Sequence, residues 1–198
     1  MCILKKVKKK LNLYLPSNMT LDNLKFPIGP FKMPEKVTSE ILNNWIAEIQ
    51  QLPNELIHVV QNLSKKELKL IYRPNGWNIK QVIHHLSDSH SNALIRFKLA
   101  LTEENPTIKP YEENLWAELV DGMDDDISYS LLILKGIHHK WHLLLVSMDE
   151  NLWERTYFHP ESKKIVTLKE MIGLYAWHGK HHLAHIKQAL QYKGEFEL

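Results

Sequence analysis

The chain has 198 residues, 44% of them hydrophobic and 24% charged, which is typical of one folded domain with a single core. Residues 1–18 hold five lysines and no acid, and the rest of the chain carries 20 basic against 23 acidic residues. This mildly acidic body argues against nucleic-acid binding, and the absence of an apolar run of roughly 20 residues argues against a membrane span. The single cysteine, Cys2, excludes an internal disulfide and fits a reducing cytoplasm.

The basic N-terminal segment stands apart from the rest of the chain. We predict that residues 1–18 form a disordered basic tail, or that they precede a functional start at Met19, and that residues 19–198 form the domain. A weak contact of this tail with a membrane surface is the remaining alternative. Residues 20–37 contain Pro27, Gly29, Pro30 and Pro34, and we expect an extended arm there.

Four segments have the periodicity of long helices. The first begins after the N-cap candidate Thr38 and continues to about residue 60, with Pro53 expected to kink or split it. A capping-box pair, Ser64 and Glu67, predicts a short helix, and a second long helix covers residues 79–101. Residues 104–124 have the composition of a functional loop.

The C-terminal half completes the set. Asp126 is the candidate cap of a third helix that extends to about residue 145, and residues 150–166 form a loop or a small hairpin. Thr167 and Glu170 form another capping-box pair, and the last helix ends near residue 192, before Gly194. Four long helices and little strand predict an all-α fold, an antiparallel four-helix bundle.

The twelve histidines are the unusual feature of the composition, and seven of them fall in two short segments. His178 and His182 are four residues apart, so they share a helix face; His182 lies within the apolar stripe and His178 at its edge. His181 and His185 turn progressively outward. A buried imidazole needs a polar partner, so the pair either binds a metal or consists of two core histidines bonded to other groups.

The second helix offers a third imidazole. Helical phase does not choose between His84 and His85, which flank the apolar stripe on opposite sides, while His90 lies within it. Three imidazoles with an open fourth position would form a metal site of the catalytic kind. The sequence has no phosphate-binding glycine loop and no serine nucleophile elbow.

Several stretches resemble the DinB-like superfamily and, within it, the YfiT group of metal-dependent hydrolases. They are GWNIKQVIHHLSDSH at residues 76–90, Asn92, RFK at 96–98, KPY at 109–111, Trp116, HP at 159–160 and YAWHGKHHLAHI at 175–186. The resemblance extends from about residue 19 to residue 192. It implies a four-helix bundle, often dimeric, that binds zinc or nickel through His85, His178 and His182.

The resemblance also implies an activity. Our first expectation is a cytoplasmic, homodimeric hydrolase in which the metal activates water toward a small-molecule substrate. The alternatives are an S-transferase that uses a low-molecular-weight thiol such as bacillithiol, and a non-enzymatic metal-binding stress protein. Catalytic candidates near the metal are Asp88, Asn92 and Arg96, for which the alternative is a role as helix-surface residues. His138 is a further candidate, with a core histidine as its alternative.

Overall fold

The computed structural model describes residues 20–196, so the predicted tail at residues 1–18 lies outside the described part of the chain. The helices are α1 (Leu21–Lys25), α2 (Ser39–Val60), α3 (Ile79–Thr102), α4 (Glu113–Trp116), α5 (Ser128–Val146), α6 (Glu150–Trp153) and α7 (Leu168–Tyr192). A 3₁₀ turn covers Glu67–Lys69. Strands β1 (Thr156–His159) and β2 (Lys164–Thr167) pair in antiparallel register as a hairpin.

The predicted helix boundaries agree closely with the observed ones because the capping residues define them locally. Thr38, Asn78 and Thr167 accept backbone N–H groups at the starts of α2, α3 and α7, and the last two belong to reciprocal capping boxes. Helix α7 ends where Lys193 and Gly194 adopt positive φ.

Three local expectations need adjustment. Helix α2 continues through Pro53 as one element and is not split. Helix α5 begins at Ser128, and Asp126 accepts the N–H of Ser128 from just outside the helix. The arm predicted to be extended contains the helix α1, because Thr20 caps it and Leu24 is buried.

Helices α2, α3, α5 and α7 form the four-helix bundle that the sequence predicts. The core has two apolar clusters, one at each end of the bundle. One cluster contains residues from the N-terminal halves of α2 and α7 and from the C-terminal halves of α3 and α5. The other cluster contains residues from the opposite half of each helix. Helices α2 and α7 therefore run in one direction, and α3 and α5 run in the other.

The chain order differs from the spatial order. Helices α2 and α3 each pack against both α5 and α7, so α2 lies diagonally opposite α3. Two neighbouring pairs are antiparallel, α2 with α5 and α3 with α7, and two are parallel. Since α3 and α5 run in the same direction, residues 103–127 must return along the length of the bundle. This loop carries α4 and forms one wall of the site described next.

Candidate metal centre

Three histidines from two antiparallel neighbours converge in the middle of the bundle. His85 lies on α3, and His178 and His182 lie one turn apart on α7. One ring nitrogen from each lies within 4.8 Å of those of the other two, and the Nε2 atoms of His85 and His178 are 3.3 Å apart. The group lies between the two apolar clusters, with His85 and His182 almost fully buried.

Helical phase left open whether His84 or His85 faces the histidine pair of α7, and the structure distinguishes the two. Nδ1 of His84 lies 2.8 Å from the hydroxyl of Ser130, and its Nε2 lies 3.1 Å from the carbonyl of Asp124. Both ring nitrogens are thus engaged on the side of α5 and the preceding loop. His84 points away from the histidine pair of α7, and His85 points toward it.

A chain of hydrogen bonds connects His178 to the opposite side of the bundle. Nδ1 of His178 lies 3.1 Å from Nε2 of His90, and Nδ1 of His90 lies 2.9 Å from Nε2 of His138. Nδ1 of His138 bonds to the carbonyl of Ile49 on α2. A carbonyl only accepts, so His138 carries its proton on Nδ1 and accepts at Nε2 from the Nδ1–H of His90. His90 in turn accepts at Nε2 from the Nδ1–H of His178. This order leaves Nε2 of His178 without a proton.

A second chain orients His182 in the same way. Its Nδ1 lies 3.4 Å from Nδ1 of His185, whose Nε2 lies 3.0 Å from the carbonyl of Lys25 at the end of α1. The carbonyl requires a proton on Nε2 of His185, so His182 donates from Nδ1 and keeps a lone pair on Nε2. Both α7 histidines therefore present the tautomer that binds a metal through Nε2.

The expectation that His181 and His185 turn outward is wrong. The two side chains are only 7% and 2% exposed. The phase of α7 alone gave no sign of this, because the cover comes from another part of the chain: Lys25 bonds to His185, and the ring of Phe26 lies 5.9 Å from that of His181. The N-terminal arm thus covers His181 and His185 on one side of the site.

Burial keeps the three converging imidazoles neutral. It lowers the pKa of His85 to about 4. It also holds the pKa values of His178 and His182 well below their ordinary value, and the neighbouring imidazoles add to the shift. Neutral imidazole is the form that binds a metal ion, so the site is prepared for one near neutral pH.

The chemistry of the donor set, and the spacing of one of its three pairs, fit a divalent ion. Two nitrogens that share a tetrahedral ion at about 2.0–2.1 Å lie roughly 3.3–3.4 Å apart, and the Nε2 atoms of His85 and His178 are separated by 3.3 Å. Three neutral nitrogen donors suit zinc or nickel better than calcium or magnesium, which prefer oxygen.

Two cavities meet at this centre. The first, of about 420 Å³, is lined by all three histidines together with Trp77, Arg73 and residues of the N-terminal arm. The second, of about 400 Å³, is lined by Arg96, Tyr111, Tyr175 and His178 among others. His178, Glu113 and Asn114 line both, so a small molecule in either cavity can reach the centre.

The other predicted candidates separate into two groups. Arg96 lines the second cavity, and His138 takes part in the hydrogen-bond chain to His178. Asp88 and Asn92 line neither cavity; the amide of Asn92 bonds to the backbone carbonyl of Asp88, as a helix-surface residue does. Burial and the charge of Asp121 raise the pKa of Asp88, which lies on the side of His84.

Sequence reasoning did not assign a role at the site to two residues, Trp77 and Glu113. The indole of Trp77 packs 4.7 Å from the ring of His85 and 6.4 Å from that of His182. Its position directly before the cap of α3, in the turn that leads to the histidines, was the available signal. Glu113 lies in the long loop, and only the return of that loop along the bundle brings it to both cavities.

This chain belongs to the DinB superfamily, whose family model matches residues 48–186. None of the helices in the described part of the chain has the length and apolar character that crossing a bilayer demands.

The relatives agree on a chemical class. A Bacillus cereus (strain 03BB102) protein named "Putative metal-dependent hydrolase" is 48% identical over 84% of this chain and 95% of its own length. A similarly named protein of Bacillus mycoides (strain KBAB4) is 49% identical over the same shares. The solved structure of YfiT from Bacillus subtilis, described as "a probable metal-dependent hydrolase with an unusual four-helix bundle topology", has a TM-score of 0.84 at 41% identity, covering 88% of this chain and 99% of YfiT.

The hydrogen-bond chain to His178 yields a prediction about metal affinity. We expect His90→Phe to weaken metal binding by about ten- to a hundredfold, because His178 then loses the acceptor that holds its tautomer. Competition with a chromophoric chelator, on protein whose helix content is unchanged by circular dichroism, measures this effect. His84→Phe removes two hydrogen bonds from the same helix without touching His178, so an equal loss in both variants would contradict the assignment.

Proposed function

We propose that this protein is a metal-dependent hydrolase whose zinc or nickel ion is held by His85, His178 and His182. The observation that carries the proposal is the convergence of three neutral imidazoles, two of them buried and that of His178 half-buried. Separate hydrogen-bond chains leave His178 and His182 with a lone pair on Nε2. The names of the relatives support the same class. A divalent ion bound there would act as a Lewis acid and would lower the pKa of a bound water molecule to near neutrality.

The protein residues supply the orientation and the proton transfer. The three histidines are neutral donors, so they would not compensate the charge of the ion. The indole of Trp77 packs against the rings of His85 and His182 and orients them. Among the described residues, Glu113 is the one carboxylate that lines both cavities. Glu113 as a whole is exposed, but its carboxyl group is partly withdrawn from water; this desolvation first, and the charge of Glu161 second, raise its pKa above the ordinary value. We assign to Glu113 the role of proton acceptor and donor, since a raised pKa suits a carboxyl group for general acid–base work.

The metal requirement gives the first test of this function. Protein purified without chelator should contain about one zinc or nickel ion per chain. His182→Ala should lose the ion because it removes one of three donors, whereas His181→Ala, a change at the adjacent buried position, should retain it. Elemental analysis of both variants measures the difference, and equal loss would contradict the choice of ligands.

The open position gives the second test. On cobalt-substituted protein, hydrolysis of simple esters or amides should depend on the metal and fall in Glu113→Gln, because that variant lacks the carboxylate that moves the proton. A small thiol should leave the cobalt spectrum unchanged. A sulfur-to-metal charge-transfer band would instead favour a thiol S-transferase of the bacillithiol type. If neither activity nor an exchangeable ligand is found, the metal is structural, as in a non-enzymatic stress protein.

A cytoplasmic location remains a prediction from the single cysteine.

A homodimer is the proposed assembly. Helix α5 carries an apolar stripe at helical spacing that the protomer leaves exposed: Tyr129, Leu132, Ile133, Leu143 and Val146. Gly136 lies within this stripe and has open space around its Cα, so a second helix can approach closely.

The dimer prediction concerns the centre of this stripe. Leu132→Glu should convert a species of twice the 23.3 kDa chain mass into a monomer, because the carboxylate would be buried unpaired in the interface. Light scattering coupled to size-exclusion chromatography measures the mass. Gln51→Glu introduces the same charge at an exposed position of α2 and should remain dimeric. A monomeric wild-type chain would contradict the proposal.

A further inference from the structure

The second cavity contains a charged group that the proposed chemistry does not use. Arg96 lines this space of about 400 Å³, yet its side chain is only 9% exposed. The cavity also reaches His178, so it joins a buried guanidinium to the proposed metal centre. The surrounding groups decide what such an arrangement can bind.

The guanidinium of Arg96 has neutral partners only. One terminal nitrogen donates to the carbonyl of Lys109 at 2.9 Å, and the phenol group of Tyr175 is a second neutral neighbour. The guanidinium carbon lies 5.9 Å from the ring centre of Tyr111. Nε is buried without a hydrogen-bond partner, and none of the four ion pairs among the described residues involves Arg96.

A buried cation without a counter-charge is costly, and it therefore attracts an anion that can enter the cavity. Guanidinium presents its donors in a planar fork that matches the two oxygens of a carboxylate. The neutral contacts to Lys109 and Tyr175 hold the side chain in place and leave its charge uncompensated. Arg73, which lines the other cavity, is less deeply buried.

We propose that Arg96 binds a carboxylate group of the substrate, so that the substrate is a small molecule with one carboxylate at one end and the reacting group at the other. The assignment of the reacting end to the side of His178 rests on the proposed function. The carboxylate site itself rests only on Arg96 and its cavity.

The acidic residues of the cavity restrict the charge of the ligand. Glu112, Glu113 and Glu161 also line the space, and all three are more exposed than Arg96. Water screens exposed carboxylates more strongly than a buried guanidinium, so a single carboxylate is still attracted to Arg96. A polyanion or a phosphate would place additional charge near the three glutamates. The cavity therefore selects a monocarboxylate.

The first experiment does not depend on a metal. Carbonyl-labelled butyrate is titrated into chelator-treated protein by ¹³C NMR, and butyramide serves as the neutral isostere. We expect butyrate to bind at least about tenfold more tightly than butyramide, because only the carboxylate forms charge-assisted hydrogen bonds with Arg96. Equal binding of the two probes, or no binding of butyrate, overturns the proposal even if the variants below fail to fold.

Variants locate the site. Arg96→Gln should weaken butyrate binding by about ten- to a hundredfold, whereas Arg96→Lys, which keeps the charge, should lose less. Arg73→Gln is the matched control, a guanidinium of the other cavity, and should bind butyrate as the wild-type chain does. Loss of binding in Arg73→Gln and not in Arg96→Gln would overturn the assignment. Tighter binding of inorganic phosphate than of butyrate would overturn the ligand class.

A separate measurement addresses the connection to the metal. In cobalt-substituted protein, butyrate should shift the cobalt spectrum little, because it occupies the Arg96 end of the cavity, and this should hold in Glu113→Gln. A large shift that persists in Arg96→Gln means that the carboxylate binds the ion directly, which overturns the proposal. If the protein binds butyrate through Arg96 but takes up no metal, the proposed hydrolase function is rejected and the carboxylate site is still supported.

Discussion

The structure depends on the hydrogen bonding of imidazoles in the middle of the bundle. An unpaired polar group in such a place costs about 1–3 kcal/mol, so each of these side chains requires a partner. Two chains of histidines, five rings in all, supply such partners, and each chain ends on a backbone carbonyl, one at Ile49 and the other at Lys25. The position of α5 against α2, and of the N-terminal arm against α7, is thereby coupled to the tautomers of His178 and His182.

The path of the chain follows from where this polar layer lies. It separates two apolar clusters, and each cluster holds one end of the bundle together. Because α3 and α5 are parallel, residues 103–127 cross from one end to the other and pass beside the imidazoles. This return places Tyr111, Glu113 and Asn114 in the walls of the two cavities. A bundle with short loops throughout would leave the same histidines without this wall of the cavities.

Two features of the interior depart from what stability alone favours. Three neutral imidazoles point their nitrogens at one another, and a guanidinium is buried without a carboxylate. Such departures in an otherwise well-packed interior are typical of functional sites. Arg96 and one of the three histidines, His178, line the same cavity, and this common location is why a metal-dependent reaction and recognition of a carboxylate are proposed for one substrate.

The sequence by itself determined the local features: the four long helices, the caps at Thr38 and Thr167, and the shared face of His178 and His182. These follow from helical periodicity and from contacts three or four residues apart. Helical phase left His84 and His85 open, the family resemblance named His85, and the tertiary structure turns the ring of His85 toward the pair on α7. Only the tertiary structure buried His181 and His185 under the N-terminal arm and linked His90 to His138. It also brought Arg96 and Glu113 to the cavities. Each of these outcomes depends on contacts between distant segments, which the pattern within one helix does not contain.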